Sequence, residues 1–296
     1  MTSKAQIIDG KQLAEEFLGE LRDQVSHLTK LGVTPSLAVV QVGQNPASQI
    51  YVRMKTRKAE ELGITSETVL LPADTSSSDL LLVVERLNQD ESVHGILVQL
   101  PLPEQIEERS IIEALDPDKD VDGFHPRNRG RLMAGEDTFV PCTPLGVQKM
   151  LIRSGFDPAG KHVVIVGRSL IVGKPLAILL TQKGRGANAT VTLCHTGTRN
   201  LDVFTRQADI LIAAAGKPKM IAGNMLNPDA VVIDVGVNRI PDPTSEKGYR
   251  LVGDVDFESA KTRVKAISPV PGGVGPMTIA MLMHNTVKAA KNQMRQ

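Results

Sequence analysis

The chain has 296 residues, of which 41% are hydrophobic and 23% are charged, enough for a sizeable core in one large or two ordinary domains. Its 34 lysines and arginines nearly balance its 33 aspartates and glutamates, and only 3% of its residues are aromatic. A near-neutral chain lacks the electric field that draws proteins onto nucleic acid or anionic membranes, and few aromatic side chains leave little to stack on bases. We therefore expect neither nucleic acid nor a membrane as a partner.

The cysteines and the apolar stretches point to an intracellular setting. Cys142 and Cys194 lie far apart and outside any C-x-x-C pair, which favours two buried free thiols in a reduced compartment. The N-terminal segment MTSKAQIIDGKQLAEEF lacks the apolar core of a signal peptide, and apolar stretches such as 210–215 are too short to span a bilayer. These features predict a cytoplasmic protein.

Two kinds of pattern alternate along the first part of the chain. Apolar, β-branched runs predict strands at 35–42, 65–71 and 93–100, and the segments 46–63 and 76–90 between them predict helices. Continuous apolar strands separated by helices are typical of a parallel sheet that is covered on both faces.

The segment from Asp116 to Pro144 has no clear period, and we interpret it as a functional loop that crosses into a second domain. The alternation then resumes, with a helix from Gly173 and predicted strands at 162–167, 189–195, 208–216 and 230–236. A Gly/Pro cluster at 269–276 precedes a last amphipathic helix, whose predicted buried stripe comprises Ile279, Leu282, Met283, Thr286, Val287 and Ala290. The predicted fold class is α/β, with two parallel-sheet domains, the second Rossmann-like, and a loop-rich cleft between them.

A glycine-containing turn joins the strand HVVIVG to the helix that begins at Gly173. Bare N–H groups and the helix dipole at such a turn can hold phosphate. The turn is neither G-x-G-x-x-G nor a P-loop, because five residues separate Gly167 from Gly173 and Pro175 replaces the hydroxyl residue. An ordinary strand–helix turn stays an alternative to a dinucleotide site.

The end of the next strand favours NADP over NAD. An NAD site expects an acidic residue there, to bind the ribose hydroxyls. Here the chain reads CHTGTRN (194–200), with two hydroxyls, a histidine and an arginine but no acid, and Arg168 adds a second cation. Cations and hydroxyls without a carboxylate suit a 2′-phosphate.

A lysine in the helix 46–63 is the first catalytic candidate. Tyr51 and Lys55 share one face at i,i+4 and are followed there by Ala59 and Leu62, so Lys55 is the cation on the apolar stripe. A lysine drawn away from water can serve as a proton carrier. A lysine that snorkels to the surface is the alternative.

Gln99 stands at the carboxyl end of a predicted strand, VHGILVQL, where open α/β sheets bind ligands. Pro101 and Pro103 end the strand and stiffen the chain beyond it. An amide that only caps this turn is the alternative.

The acidic loop DPDKDVDGF (116–124) begins like an EF-hand. Position twelve, however, is Arg129 rather than a bidentate glutamate, so we reject calcium. The histidines lack ligand spacing, and we predict no metal site. The loop then offers a carboxylate suited to a nitrogen heterocycle, unless it is merely solvated.

A second loop, PVPGGVGPM (269–277), packs three glycines and three prolines before a helix. Prolines restrict the loop, whereas glycines let a flat ligand approach the backbone. A tight interdomain turn is the alternative.

Seven segments in this order resemble the methylenetetrahydrofolate dehydrogenase/cyclohydrolase family, and the resemblance runs from the first helix to the last. The segments are YVRMK (51–55), VQLPLP (98–103), KDVDGF (119–124), PCTP (141–144), GRSLIVGKP (167–175), DVGVN (234–238) and PVPGGVGPMT (269–278).

The resemblance implies roles for individual residues. Lys55 would be the central catalytic group, tuned by Gln99, with Tyr51 lining the folate site and Asp122 holding the pterin ring. Further folate contacts would be Leu100, Pro101, Pro271, Gly272, Gly273 and Thr278. The implied NADP contacts are Gly167, Arg168, Ser169, Thr196 and Val237.

The resemblance also implies a domain organisation and an activity. Residues 1–143 with 276–296 would form a folate-binding catalytic domain, and 144–275 an NADP-binding Rossmann-like domain. The protein would be a cytoplasmic homodimer that binds folate in the interdomain cleft and serves purine biosynthesis. As an oxidoreductase and hydrolase it would oxidise 5,10-methylene-tetrahydrofolate with NADP and hydrolyse the methenyl product to 10-formyl-tetrahydrofolate.

Two other readings of the function stay open at this point. One is an enzyme that retains only the dehydrogenase step. The other is a catalytically silent dinucleotide-binding or scaffold protein, against which the combination of Lys55, Gln99 and Asp122 argues, because a silent protein has no chemical need of them together.

Overall fold

The computed structural model describes residues 5–246 and 248–295. In these ranges the helices are α1 (Gly10–Lys30), α2 (Pro46–Leu62), α3 (Ser77–Gln89), α4 (Glu108–Ala114), α5 (Pro126–Ala134), α6 (Cys142–Arg153), α7 (Gly173–Thr181), α8 (Leu201–Thr205), α9 (Phe257–Ala260) and α10 (Val274–Gln293). The strands are β1 (Gln6–Ile7), β2 (Ser36–Val42), β3 (Thr65–Leu71), β4 (Gly95–Val98), β5 (His162–Val166), β6 (Thr190–Cys194), β7 (Ile210–Ala213), β8 (Val231–Asp234), β9 (Asn238–Pro241), β10 (Tyr249–Val252) and β11 (Ala266–Ile267). No helix of these ranges combines the length and the apolar character needed to cross a bilayer.

The chain divides into two compact units. One contains the described residues up to Glu15 together with Thr143–Thr278, and the other contains Glu16–Cys142 and the residues from Ile279 onward. The sequence-based division instead placed the first fifteen residues with the second of these units. Residues 5–15 lie in the first because β1 pairs in parallel with β11, where Gln6 pairs with Ala266.

The unit that begins at Glu16 is built on a three-stranded parallel sheet in the order β3-β2-β4. The central strand β2 has the sequence SLAVVQV, in which apolar residues do not alternate with exposed polar ones. It is buried from Leu37 to Val42, as a strand covered on both faces requires. One face packs against α3 and α4 through a core that includes Val40, Leu80, Val84, Ile96 and Ile111.

The other unit contains a six-stranded parallel sheet in the order β1-β11-β8-β7-β5-β6. After β5 the chain places β6 on one side and β7 on the other. Between β5 and β7 the strand order therefore reverses, and such a reversal is where α/β sheets bind nucleotides at their carboxyl ends.

The α/β class with parallel sheets is confirmed, and so are the strands predicted from β-branched runs. The predicted stripe of the last helix is also confirmed, since Ile279, Leu282, Met283, Thr286, Val287 and Ala290 are all buried. Both cysteines are buried free thiols, as expected.

The interpretation of 116–144 as a loop is wrong in part, because α5 lies inside it. Pro126 opens this helix, the Nδ1 atom of His125 accepts a 3.0 Å hydrogen bond from the backbone N–H of Arg127, and Gly135 ends it with φ 75°. Only Asn128 and Leu132 of the helix are buried, so its sequence shows no apolar period. In the sequence, this helix is indicated by its capping residues and not by a hydrophobic period.

Candidate active site

Lys55 and Gln99 form a hydrogen-bonded pair in the unit that begins at Glu16. Nζ of Lys55 donates to Oε1 of Gln99 at 3.0 Å, and both side chains are half-buried. On α2 the same stretch buries Val52, Ala59 and Leu62, which fixes the helix against the rest of the unit. The sequence prediction that Lys55 faces inward with Gln99 beside it agrees with this geometry.

The amide of Gln99 is oriented from both ends. Gln99 follows β4 directly, and its backbone N–H donates to the Val40 carbonyl at 2.8 Å, continuing the ladder beyond the strand. Its Nε2 donates to the Leu100 carbonyl at 2.6 Å. Because the NH₂ group is engaged there, Oε1 must face Lys55, and the amide presents an acceptor to the amine. The next peptide bond, Leu100–Pro101, is cis.

Asp122 lies beside this pair. The chain before it runs parallel to β4 through the Ile96–Asp120 bridge, which brings Asp122 toward the edge of the sheet where Gln99 stands. Burial raises the pKa of the Asp122 carboxyl, and the positive charge of Lys55 opposes the rise. Lys55 is thus hydrogen-bonded to Gln99 and interacts electrostatically with Asp122.

The thiol of Cys142 contacts the same carboxylate. Burial and the adjacent Asp122 charge raise the pKa of the Cys142 thiol well above its usual range, so the sulfur stays protonated. The thiol also lies 3.4 Å from the Val121 carbonyl, to which it donates. Cys142 therefore acts as a neutral neighbour of Asp122 and not as a nucleophile.

A buried asparagine of the last helix supports the Asp122 segment. Nδ2 of Asn285 donates to the carbonyls of Val121 at 2.8 Å and Val140 at 3.1 Å. This residue was not among the predicted site residues. Its signal in the sequence is a polar side chain inside an otherwise apolar helical stripe, and its partners lie more than a hundred residues away.

Asp120 of the same loop has a different role from Asp122. Asp120 is 1% exposed and accepts hydrogen bonds from the backbone N–H groups of Phe124 and His125 and from Nδ2 of Asn128. Its oxygens hold the turn into α5 and do not face a ligand. Asp118, like Asp122, is half-buried, so the loop combines the structural carboxylate of Asp120 with carboxylates that remain available for binding.

Tyr51 lies one turn before Lys55 on α2 but is more exposed than the predicted stripe implied. Its exposed fraction is 38%, and its neighbours Ile50 and Met54 are 49% and 46% exposed. Among the described residues its hydroxyl has no hydrogen-bond partner. Only Ala59 and Leu62 of the predicted stripe are therefore buried, and the exposed side chains Ile50, Tyr51 and Met54 give the first half of α2 an apolar and aromatic surface.

The loop 269–277, which is predicted to contact folate, belongs to the other unit. The Val270–Pro271 peptide is cis, Gly272 has φ 99°, and its carbonyl accepts from the Lys11 N–H at 3.0 Å. A Cβ on Gly273 would overlap the Pro269 carbonyl, so the glycine is required by close packing. Thr278 follows in α10, where its hydroxyl lies 3.0 Å from that of Thr143.

The predicted cofactor residues cluster at one edge of the six-stranded sheet. In the register of the strands, Val166 pairs with both Cys194 and Ala213, and Ala213 pairs with Asp234. The loops that follow these strands therefore leave side by side. They carry Gly167, Arg168, Ser169, Thr196 and Val237.

The loop between β5 and α7 fits a phosphate-bearing ligand. Gly167 has φ 134°, and a Cβ there would overlap the Ala214 carbonyl, so only glycine fits. Oγ of Ser169 accepts from the Val172 N–H at 3.1 Å, which shapes the entry into α7. Residues 168–171 are exposed, so their backbone groups remain available to a ligand at the helix N-terminus.

The charges at this edge fit NADP. Arg168 and Arg199 are exposed, and in the part of the chain that the structure describes neither is ion-paired. Thr198 accepts a 2.9 Å hydrogen bond from the His195 N–H, which closes the turn and leaves Thr196 exposed. The turn contains no carboxylate, and its two flanking guanidinium groups suit the extra phosphate of NADP.

Comparisons with known proteins cover nearly the whole chain. Residues 8–122 match the catalytic domain, and residues 141–294 the NAD(P)-binding domain, of the tetrahydrofolate dehydrogenase/cyclohydrolase family. The bifunctional protein FolD of Moorella thermoacetica is 55% identical over 287 residues, covering 97% of this chain and 99% of that protein.

Solved structures show the same relationship. The bifunctional FolD enzyme of Campylobacter jejuni is 47% identical with a TM-score of 0.92, covering 97% of this chain and 99% of that one. The Trypanosoma brucei methylenetetrahydrofolate dehydrogenase–cyclohydrolase, solved with NADP and an inhibitor, is 39% identical with a TM-score of 0.94 and covers 99% and 100%.

Proposed function

The chain belongs to the tetrahydrofolate dehydrogenase/cyclohydrolase family, and we propose that Lys55, Gln99 and Asp122 form its catalytic group, with Tyr51 lining the folate site. The observation that carries this assignment is the 3.0 Å hydrogen bond between Nζ of Lys55 and Oε1 of Gln99, with the Asp122 carboxylate close enough for the Lys55 charge to oppose the rise in its pKa.

The protein is a bifunctional enzyme of one-carbon folate metabolism. It oxidises 5,10-methylene-tetrahydrofolate to 5,10-methenyl-tetrahydrofolate and hydrolyses that product to 10-formyl-tetrahydrofolate. NADP, when bound, supplies the hydride acceptor for the first step.

The dehydrogenase step requires orientation more than acid–base chemistry. Asp122 can accept hydrogen bonds from the N–H groups of the pterin ring, and Tyr51 offers an aromatic surface to the substrate. Burial raises the pKa of the Asp122 carboxyl, and the Lys55 charge beside it opposes that rise and so favours the form that accepts hydrogen bonds. Together these side chains can hold the methylene carbon in place.

The cyclohydrolase step requires proton transfers. Water adds to the methenyl carbon and loses a proton, and Lys55 is the side chain placed to relay it. The bond from this carbon to N5 then breaks, N5 takes up a proton, and the formyl group remains on N10. Gln99 fixes the position of Nζ throughout, because its own NH₂ group is held by the Leu100 carbonyl. A positioned group of this kind typically accelerates proton transfer about 10²–10⁴-fold.

The remaining site residues complete the proposal. Leu100, Pro101, Pro271, Gly272, Gly273 and Thr278 contact folate, and Gly167, Arg168, Ser169, Thr196 and Val237 contact NADP. Folate binding and catalysis are assigned mainly to the unit that contains Glu16–Cys142, and NADP binding to the unit that contains Thr143–Thr278. Support comes from the glycine-dependent packing of both loops and from the cations beside the second, which form no ion pair with any residue that the structure describes.

Three properties at the level of the cell and the assembly also belong to the proposal. They are a homodimeric state, a cytoplasmic location and a contribution of 10-formyl-tetrahydrofolate to purine biosynthesis. The buried free thiols are consistent with a reduced compartment.

One experiment tests the function as a whole. The purified protein is supplied with 5,10-methylene-tetrahydrofolate and NADP, and NADPH and 10-formyl-tetrahydrofolate are followed together. We expect both to form. If NADPH forms but the formyl product appears no faster than by uncatalysed hydrolysis, the protein is a dehydrogenase only. If neither NADPH nor the formyl product forms, the assignment is contradicted.

A further inference from the structure

Two buried aspartates of the six-stranded unit belong to none of the sites described so far. Asp234 ends β8 and is 3% exposed, and Asp254 follows β10 and is fully buried. Buried carboxylates are costly unless hydrogen bonds replace the lost water. Their partners therefore show what the two side chains are for.

Asp254 binds the loop that follows β7. Its Oδ2 accepts from the N–H groups of Ala215 at 2.6 Å and Gly216 at 2.8 Å, and its Oδ1 accepts from Lys217 N–H at 2.9 Å. Oδ1 also accepts from Nδ2 of Asn238 at 2.9 Å. One carboxylate thus satisfies three successive backbone donors and ties them to the start of β9.

Asp234 closes the same cluster from the neighbouring strand. Its oxygens accept from the N–H groups of Gly236 and Asp254 at 3.0 Å each and of Val255 at 2.8 Å. The packing is tight enough to exclude side chains, since a Cβ on Gly236 would overlap Asp254, and one on Gly253 would overlap Asp234. The two aspartates and two glycines form one unit, which we call the carboxylate clamp.

The loops held by the clamp are those of the cofactor edge. The loop after β7 begins at Ala214, whose carbonyl packs so closely against Gly167 that only glycine fits there. Val237, a proposed NADP contact that is 48% exposed, lies between Gly236 and Asn238, and each of these donates to one of the aspartates. The loops after β7 and β8 are therefore shaped by buried carboxylates, and the first of these loops packs against Gly167 on the other side of the reversal between β5 and β7.

We infer that Asp254, supported by Asp234, is a positioning residue of the cofactor site, holding the loops after β7 and β8 in the conformation that binds NADP. The inference rests on the proposed function only in taking this edge as the NADP site. Neither aspartate need touch the cofactor, because each acts through the backbone of residues that do.

The two activities of the enzyme supply the test. Hydrolysis of methenyl-tetrahydrofolate uses no NADP, so it reports on the folded catalytic unit, whereas the dehydrogenase depends on the cofactor edge. Asp254→Asn keeps the shape of the side chain but replaces one acceptor oxygen by a donor, which faces N–H groups that need an acceptor. Asp229→Asn makes the same chemical change at an exposed position of the same unit and is the matched control.

We expect Asp254→Asn to raise the KM for NADP, and the Kd for NADPH measured by fluorescence, by about tenfold or more. Its kcat at saturating NADP and its hydrolysis of methenyl-tetrahydrofolate should stay within about twofold of wild type. Asp229→Asn should change none of these. A folded Asp254→Asn protein with unchanged NADP affinity, or one that loses both activities in parallel, would overturn the inference.

A milder variant decides the matter if Asp254→Asn does not fold. Asn238→Ala removes one of the four donors to Asp254 and should raise the KM for NADP about threefold to tenfold, again with hydrolysis unchanged. Unchanged NADP affinity in this variant would equally overturn the inference. If instead the wild-type protein bound no NADP, the proposed function would fail, whatever the variants did.

Discussion

Gln99 accepts a 3.0 Å hydrogen bond from Lys55 through Oε1 while its Nε2 donates to the carbonyl of the very next residue. The amide cannot turn without losing one of these bonds, so the acceptor faces the amine in only one way. A neutral acceptor holds Nζ in place without the charge that a carboxylate would add. This arrangement suits a lysine that must exchange protons during hydrolysis.

Replacing Gln99 by leucine should therefore impair hydrolysis most. Gln99→Leu keeps a similar volume but removes the acceptor for Lys55, and we expect hydrolysis of the methenyl compound to fall about 10–100-fold. The dehydrogenase should be affected less, since it depends on orientation. Gln89→Leu, at an exposed position on α3, is the control and should have no effect. Equal losses of the two activities in Gln99→Leu would contradict a specific role in proton transfer.

Asp122 should act on folate rather than on NADP. Asp122→Asn removes the charge and half of the acceptor capacity, so the KM for methylene-tetrahydrofolate should rise about tenfold or more, with the KM for NADP unchanged. Asp118→Asn, on the same loop, should leave both constants near wild type. The account is wrong at this point if Asp122→Asn binds folate normally, or if a calcium chelator abolishes wild-type activity.

Arg168 should contribute to the preference for NADP over NAD. We expect wild type to have the higher kcat/KM with NADP, because the exposed guanidinium groups at this edge are not neutralised among the described residues. Arg168→Gln should lower kcat/KM for NADP about 10–100-fold and leave that for NAD nearly unchanged. Steady-state kinetics with both cofactors measures this, with NAD as the internal control. Equal specificity constants in wild type would refute the preference.

Asp234 should make stability depend on pH. Burial raises the pKa of its carboxyl from 3.8 to about 7, and the nearby Asp254 charge contributes to the rise. Between these values the folded protein keeps a proton that the unfolded chain has released, so the free energy of unfolding falls as pH rises. The decrease attributable to this group between pH 5 and 8 is on the order of 3 kcal/mol.

Urea unfolding of wild type and Asp234→Asn across this pH range isolates the effect. The stability of wild type relative to the variant should decline from pH 5 to pH 8, because asparagine does not titrate. A constant difference would show that the carboxyl does not titrate in this range in the folded protein.

The sequence predicts the parts of the fold that carry a local signal. Long β-branched runs such as SLAVVQV identify buried strands, and the stripe of α10 identifies a buried helix face. The two-residue strands β1 and β11 are too short to show a period, and β9 and β10 form a separate antiparallel hairpin with a polar, half-exposed sequence. These elements arise from pairing between distant segments, which a single sequence does not display.

The residues of the candidate site likewise fall into those that have a local signal in the sequence and those that do not. Lys55 could be proposed from the sequence because a cation interrupts an apolar stripe, and Gln99 because an amide ends a buried strand. Asn285, Asp234 and Asp254 act by meeting backbone groups from other parts of the chain, so their roles appear only once the fold is known. The exposure of Tyr51 likewise follows from what packs against α2, and not from its helical spacing.

Hydrolysis of methenyl-tetrahydrofolate by Lys55→Met tests the central claim most directly. Methionine keeps most of the stem's volume and removes the amine, and Lys58→Met on the same helix, where the lysine pairs with Glu61 at the surface, is the matched control. The compound is supplied directly and its disappearance is compared with the uncatalysed rate, so that no NADP is involved. We predict a loss of about 10²–10⁴-fold, to near the uncatalysed rate, in Lys55→Met and none in the control. A folded Lys55→Met protein that hydrolyses the compound at close to the wild-type rate would contradict the mechanism.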